Sequence, residues 1–251
     1  MGILEAVAIF AAGIVAGTMN TIVGSGTLVT FPTLLGFGYS PVVANVSNTI
    51  GLVSGSVAGA WGYRSELEGQ RSRTIRLACA STAGGITGAI LLLVLPASAF
   101  KAIVPGFIAV ALVLVVVQPR VSRWVAARRE HAPLHVGPLG LVGVYLTGVY
   151  GGYFGAAQGI ILMAVLGLAL HETLQRMNAV KNILAGLTNL VAAIIFIAVA
   201  DVAWGPAVLI ALGATLGGIL GSRVGRRLAP WALRGVIVAV GVFAIVRLVA
   251  F

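Results

Sequence analysis

Two clusters of uncharged polar residues interrupt an otherwise apolar chain, and each has a counterpart in the second half. The first cluster is Gly24-Ser25-Gly26-Thr27, with Asn20 about one turn earlier. The second is Asn45, Ser47, Asn48 and Thr49, where spacings of three and four put Asn45, Asn48 and Thr49 on one helix face. Further along, Gln158 follows Gly155, and Asn178, Lys181 and Asn182 again share a face. A small oxyanion needs positive potential and several donors in a partly dry cavity. A broken helix supplies both, through free N–H groups and the dipole at the new N-terminus. Ser25 and Thr27 are expected to cap the half-helix that follows the Gly24–Gly26 break. Lys181 is a compact point charge suited to an oxyanion, and a cation inside a membrane bundle marks a pathway or a counter-ion. Each of these residues also has a plainer role open to it. Lys181 can snorkel to the interface, the asparagines can bond neighbouring helices, and Ser25 can serve a tight turn.

Composition says where such a cluster must sit. Of 251 residues, 59% are hydrophobic and 9% charged, against about 25% charged in a soluble domain. The chain cannot cover a water-facing surface and belongs in a bilayer. The balance of 16 Lys+Arg against 6 Asp+Glu gives +10. In a membrane protein that excess is topology rather than nucleic-acid binding. Cys79 alone allows no intramolecular disulfide, and no Cys/His cluster has metal-ligand spacing. The spans contain no nucleophile–base pair for catalysis and no Gly-x-x-x-x-Gly-Lys-[Ser/Thr] loop for ATP, so neither an enzyme nor a cofactor is expected. Among carboxylates and histidines near the spans, Glu172 beside His171 is the candidate pair for proton coupling. The N-terminus lacks a basic n-region and reads as a retained span.

The elements follow from charge-free runs. Between Glu5 and Arg64 lie 58 uncharged residues, about 87 Å of helix at ~1.5 Å per residue. A ~30 Å hydrocarbon core fits three short crossings there, with breaks at Gly24–Gly26 and at Gly36–Pro41. Spans are also expected at 77–100, 102–119, 136–170 (broken near Gly151-Gly152 and Gly155), 183–200, 207–222 and 235–251. The fold class is an all-α polytopic membrane protein with 8–10 transmembrane helices, some short or broken.

Self-comparison shows a repeat. Gly17, Gly24 and Gly36 each meet a glycine 131 residues later, and Gly84-Gly85-Ile86-x-Gly88 resembles Gly217-Gly218-Ile219-x-Gly221. Three basic loops hold twelve of the 16 cations: Arg64/71/73/76, Arg120/123/128/129 and Arg223/226/227/234. Such loops are cytoplasmic by the positive-inside rule. Their equivalents in the other half are poor in charge, which is expected if the halves insert in opposite directions. The scheme is two inverted repeats of about five helices each, 1–118 and 137–251. A basic cytoplasmic linker joins them at 119–136, and both termini lie outside. Glycines recurring every four residues allow close helix packing and permit a homodimer.

The residues also resemble a known family. The stretch Gly17–Leu35 (GTMNTIVGSGTLVTFPTLL), the segment PVVANVSNT from Pro41, and AGAWGYR ending at Arg64 are similar to signatures of the sulfite exporter TauE/SafE family, also called TSUP. The Gly-Gly-x-x-Gly pair fits as well. The resemblance implies a bacterial or archaeal inner-membrane carrier for a small sulfur-containing anion: sulfite, sulfoacetate or another organosulfonate, or thiosulfate. Export by alternating access, driven by the potential, is the expected mode. A passive anion channel and a proton-coupled uptake carrier are the alternatives.

Overall fold

The computed structural model describes residues 1–128 and 136–224. The last expected span, 235–251, lies outside the described residues, as do Arg129, Arg226, Arg227, Arg234 and Arg247. All regular structure among the described residues is helical: α1 (Ile3–Ile22), α2 (Thr27–Gly36), α3 (Pro41–Gly62), α4 (Arg71–Val94), α5 (Ala97–Arg128), α6 (Pro138–Tyr153), α7 (Gln158–Ala169), α8 (Leu174–Val199) and α9 (Trp204–Val224), with a 3-10 turn at Arg64–Leu67. In hydrocarbon every backbone group must be satisfied within its own segment, so apolar runs of this length resolve as helices. Six of them are long and apolar enough to cross a membrane. The chain is an all-α polytopic membrane protein.

The expectation of three crossings before Arg64 needs correction. Helix α2 has 10 residues, about 15 Å, which is half the hydrocarbon thickness. It turns back on α1: the Tyr39 hydroxyl, just past α2, donates to Glu5 Oε1 at 2.7 Å, at the start of α1. The pair α1–α2 is therefore a hairpin that re-emerges where it entered. Helices α6 and α7 form a second hairpin, with Gly140 at the start of α6 lying against Ala169 at the end of α7. A second correction concerns 119–128. Expected as a linker, it is the last part of α5, which runs 32 residues through Pro105 and Pro119. At about 48 Å α5 outlasts the bilayer core, and Arg120 and Arg123 ride on its overhang.

The hairpins enter from opposite ends. One end holds Glu5 and Tyr39. At the other, which we call the arginine end, Glu172 after α7 pairs with Arg73 at the start of α4. Packing between the halves is reciprocal: α1 lies on α9, and α6 lies on α4. In both contacts the paired numbers rise together, so the partners run parallel. Gly17 meets Ala214 and Gly221 meets Thr18, while Gly84 meets Tyr145 and Gly88 meets Val149. A Cβ on Gly217 would come 2.1 Å from the Ile14 carbonyl oxygen, and one on Gly88 2.1 Å from that of Val149. Among lipid tails there is little hydrophobic gain in bringing helices together, so such close backbone contact supplies the association. These glycine ridges are occupied inside the chain.

Candidate functional site

The tips of the two hairpins meet at the middle of the molecule. Gly24, two residues past the end of α1, is left-handed (φ 82°), and so is Gly155, two residues past the end of α6 (φ 76°). The Gly159 amide donates to the Gly24 carbonyl at 3.0 Å. A Cβ on Gly24 would lie 2.3 Å from Gly159 Cα, so the two backbones touch with no room for a side chain on either. Both short helices start at this crossing, where their first amides are held by the turns before them: Leu28 and Val29 donate to the Ser25 and Gly26 carbonyls, and Gln158 and Ile160 to those of Gly155 and Ala157. Ala157 precedes α7 with φ 58°, a conformation that costs a non-glycine residue roughly 1–2 kcal/mol.

At each break, donors from the opposite half converge on the carbonyl end of the preceding helix. Lys181 Nζ donates to the Asn20 carbonyl at 3.0 Å and to that of Thr21 at 3.1 Å. Asn178 and Asn182 also donate to the Thr21 carbonyl, at 3.2 and 3.4 Å. Helix α8 thus supplies a cation and two amides to the carbonyl end of α1, where the helix dipole is negative. Lys181 is fully buried and does not snorkel. Its Cδ lies against Gly159, where a Cβ would come within 3.1 Å. The counterpart is sparser: Asn45 of α3 donates to the Tyr153 carbonyl at the end of α6, at 3.0 Å.

The remaining candidates divide. Asn48 Nδ2 donates to Thr27 Oγ1 at 3.3 Å, and its Oδ1 accepts from Thr30. Asn20 donates to Ser56 at 3.1 Å. Gly26, not Ser25 or Thr27, is the N-cap of α2, and no side chain caps that helix. The capping role expected of Ser25 and Thr27 is thus overturned: Thr27 is the first helical residue and is turned to Asn48. Ser47 is drawn elsewhere, accepting from the Ala203 amide at the start of α9 at 2.9 Å, and Thr49 bonds its own Asn45 carbonyl at 2.9 Å. His171 and Glu172 lie at the arginine end, away from the crossing. Burial raises the Glu172 carboxyl. Hydrogen bonds and charge from Arg73, and from Arg176 at 2.6 Å, outweigh that and hold it below the usual carboxylate range.

Six of the seven buried side-chain atoms without a partner among the described residues belong to this region: Thr21 Oγ1, Ser25 Oγ, Asn45 Oδ1, Tyr153 OH, Gln158 Nε2 and Asn178 Oδ1. An unmet buried polar atom costs about 1–3 kcal/mol, so a cluster of them makes this the candidate site. Gln158 folds its amide onto Gly151, where a Cβ would come within 2.3 Å. A cavity of about 150 Å³ adjoins the crossing. Tyr63, Gln118 and Ser122 line it near the arginine end, and Ile22, Val23 and Asn178 line it next to the break. Thr21, Tyr153, Gln118 and Ser122 were not singled out in the sequence. Thr21 lies in the last turn of α1 and Tyr153 ends α6, so both stand within three residues of a break glycine; Gln118 and Ser122 carry no such signal.

Comparison with known proteins agrees with this architecture. Residues 9–248 match the profile of the family described as sulfite exporter TauE/SafE. The chain is 27% identical to the probable membrane transporter protein ORF9 of a Sinorhizobium species, across 96% of this chain and 91% of that protein. It is 24% identical to the probable membrane transporter protein YfcA of Escherichia coli K12, across 86% and 79%. No solved structure matches significantly. With the match running through both hairpins, the crossing between them and the helices that hold it, the chain belongs to the sulfite exporter TauE/SafE family of membrane proteins.

Proposed function

We propose that this membrane transporter carries a small sulfur-containing anion, such as sulfite, an organosulfonate like sulfoacetate, or thiosulfate, and binds it where the hairpin tips cross. The observation that carries the reading is the cluster of unpartnered buried polar atoms at the start of two half-helices, beside one buried lysine. The Ser25 hydroxyl and the Gln158 side-chain amide donate to the anion. Asn178 and Tyr153 flank it, and Lys181 supplies the positive potential. Gly24 and Gly159 keep the tips together so that neither site forms alone. The two halves are an inverted duplication, a reading supported by the opposite entry of the hairpins and by the reciprocal packing of α1 on α9 and α6 on α4. Such paired broken helices at a repeat interface suit alternating access.

The arginine end faces the cytoplasm of a bacterial or archaeal cell, by the positive-inside rule, and the cavity lies on that side. Export then gains about 2.3 kcal/mol per 100 mV for each negative charge moved outward. Glu172, held charged between two arginines, serves as a structural tie and not as a proton carrier.

The test is flux of sulfite, sulfoacetate, thiosulfate and sulfate in proteoliposomes under a set potential. Ser25→Ala removes a buried hydroxyl that has no partner, so it is expected to fold without loss of stability while lowering flux of the transported anion at least tenfold. Unchanged flux of every anion in Ser25→Ala and Asn178→Ala would remove the binding site from the crossing.

A further inference from the structure

A groove between α3 and α8 opens on the outer surface of the molecule, apart from the cavity above. It measures about 380 Å³ and is walled by Val57 and Trp61 on one side and Ile183, Gly186 and Leu190 on the other, with Arg64 at its end. Val57, Trp61 and Leu190 are 62%, 69% and 40% exposed. On a membrane helix, large apolar side chains left open in this way face acyl chains. Trp61 lies in the last turn of α3, at the arginine end, where an amphipathic ring belongs at headgroup level. The Arg64 guanidinium lies 4.7 Å above that ring, and its Nη1 donates to the Trp61 carbonyl at 3.1 Å. An arginine has five donors, and this one is exposed, so it offers the rest of its fork to a neighbouring phosphate.

The geometry points to a binding site for an anionic phospholipid, with one acyl chain in the α3–α8 groove and the phosphate on Arg64. An apolar trough that ends in a cation at the interface is complementary to a molecule with an apolar tail and an anionic head. The floor of the groove gives the lipid a structural consequence. Ser56 and Asn182 line it, and these two residues hold Asn20 and the Thr21 carbonyl at the end of α1. A chain seated here packs directly behind the residues that fix the first hairpin tip. Gly186 sets the depth of the trough, since a Cβ there would stand 3.2 Å from Ser56 Cβ.

The test uses the full chain with Trp61 as its sole tryptophan, reconstituted in vesicles of phosphatidylglycerol and phosphatidylcholine with one or the other brominated on its acyl chains. Trp61 quenching is expected to half-saturate at about fivefold lower mole fraction of brominated phosphatidylglycerol than of brominated phosphatidylcholine, the worth of one arginine near an anionic headgroup. Arg64→Gln removes that preference and keeps the quenching by acyl bromines. Gly186→Leu lowers quenching by both lipids. Arg64→Gln is an exposed substitution, so it decides the matter even if Gly186→Leu does not fold. Equal dependence on the two lipids in the unsubstituted groove would overturn the proposal, as would protection of Trp61 from both lipids together with cross-linking between copies of the chain.

Discussion

The α1–α2 and α6–α7 hairpins are built alike and held differently. Each has a longer first helix, a break opened by a left-handed glycine, and a short helix leading back. The end of α1 receives a cation and two amides from α8. The end of α6 receives one amide from α3. The second hairpin also contains the strained Ala157 and the unpartnered Gln158 amide. The difference teaches that two hairpins of like build need not be held alike: α1–α2 is the side of the crossing with more side-chain donors on its carbonyl end, and α6–α7 is the side with fewer.

The largest expected effect removes the comparison altogether. Gly24→Val or Gly159→Val puts a branched side chain where a Cβ alone would come within 2.4 Å of backbone, and no folded monomer is expected on size exclusion. Next, Lys181→Ala leaves the Asn20 carbonyl without its donor and should cost roughly 2–4 kcal/mol. Asn45→Ala should cost about 1–3 kcal/mol. Thermal melts of the two purified variants test the asymmetry directly, and equal losses would break it.

A pH titration sharpens it further. Glu172 ties the outer end of the second hairpin to α4. Its carboxyl is depressed in the folded protein, so its contribution is present above the unfolded carboxylate pKa and is lost as pH falls through the folded value. Melting temperature should therefore drop on acidification below the ordinary carboxylate range. Glu172→Gln should flatten that limb of the profile while lowering stability at neutral pH. The smallest effect is a gain. Ala157→Gly relieves a left-handed alanine and is expected to stabilise by about 1 kcal/mol; a loss would mean that the Ala157 methyl packs better than its backbone is strained.

Much of this was legible in the sequence, and the limits have physical reasons. The breaks at Gly24–Gly26 and at Gly155 announce themselves through glycine in uncharged runs, whereas Gly151-Gly152, read as part of the second break, lie inside α6, where they pack against α4 and Gln158. The polar faces of α3 and α8 follow from spacing alone. The bounds of α2 follow from the breaks at Gly24–Gly26 and Gly36–Pro41, but its return along α1 in place of a crossing does not, because that is a tertiary contact: Tyr39 meets Glu5, thirty-four residues away. Pro119 read as the end of a span, yet a proline inside a membrane helix is tolerated when neighbours satisfy the freed carbonyl, and α5 continues past it. The partners of Lys181 were hidden for the same kind of reason. Pattern says that a buried cation needs a counterpart, and only the fold says that two backbone carbonyls provide it.

That last contact bears on how the protein is made. The lysine that satisfies Asn20 follows it by 161 residues. At a synthesis rate of about 5–20 residues per second, the carbonyls at the end of α1 wait about 8–32 s for their donor. In hydrocarbon each unmet group costs several kcal/mol, so the first hairpin cannot settle into its final place during that interval. The ribosome must reach α8 before α1 is finished.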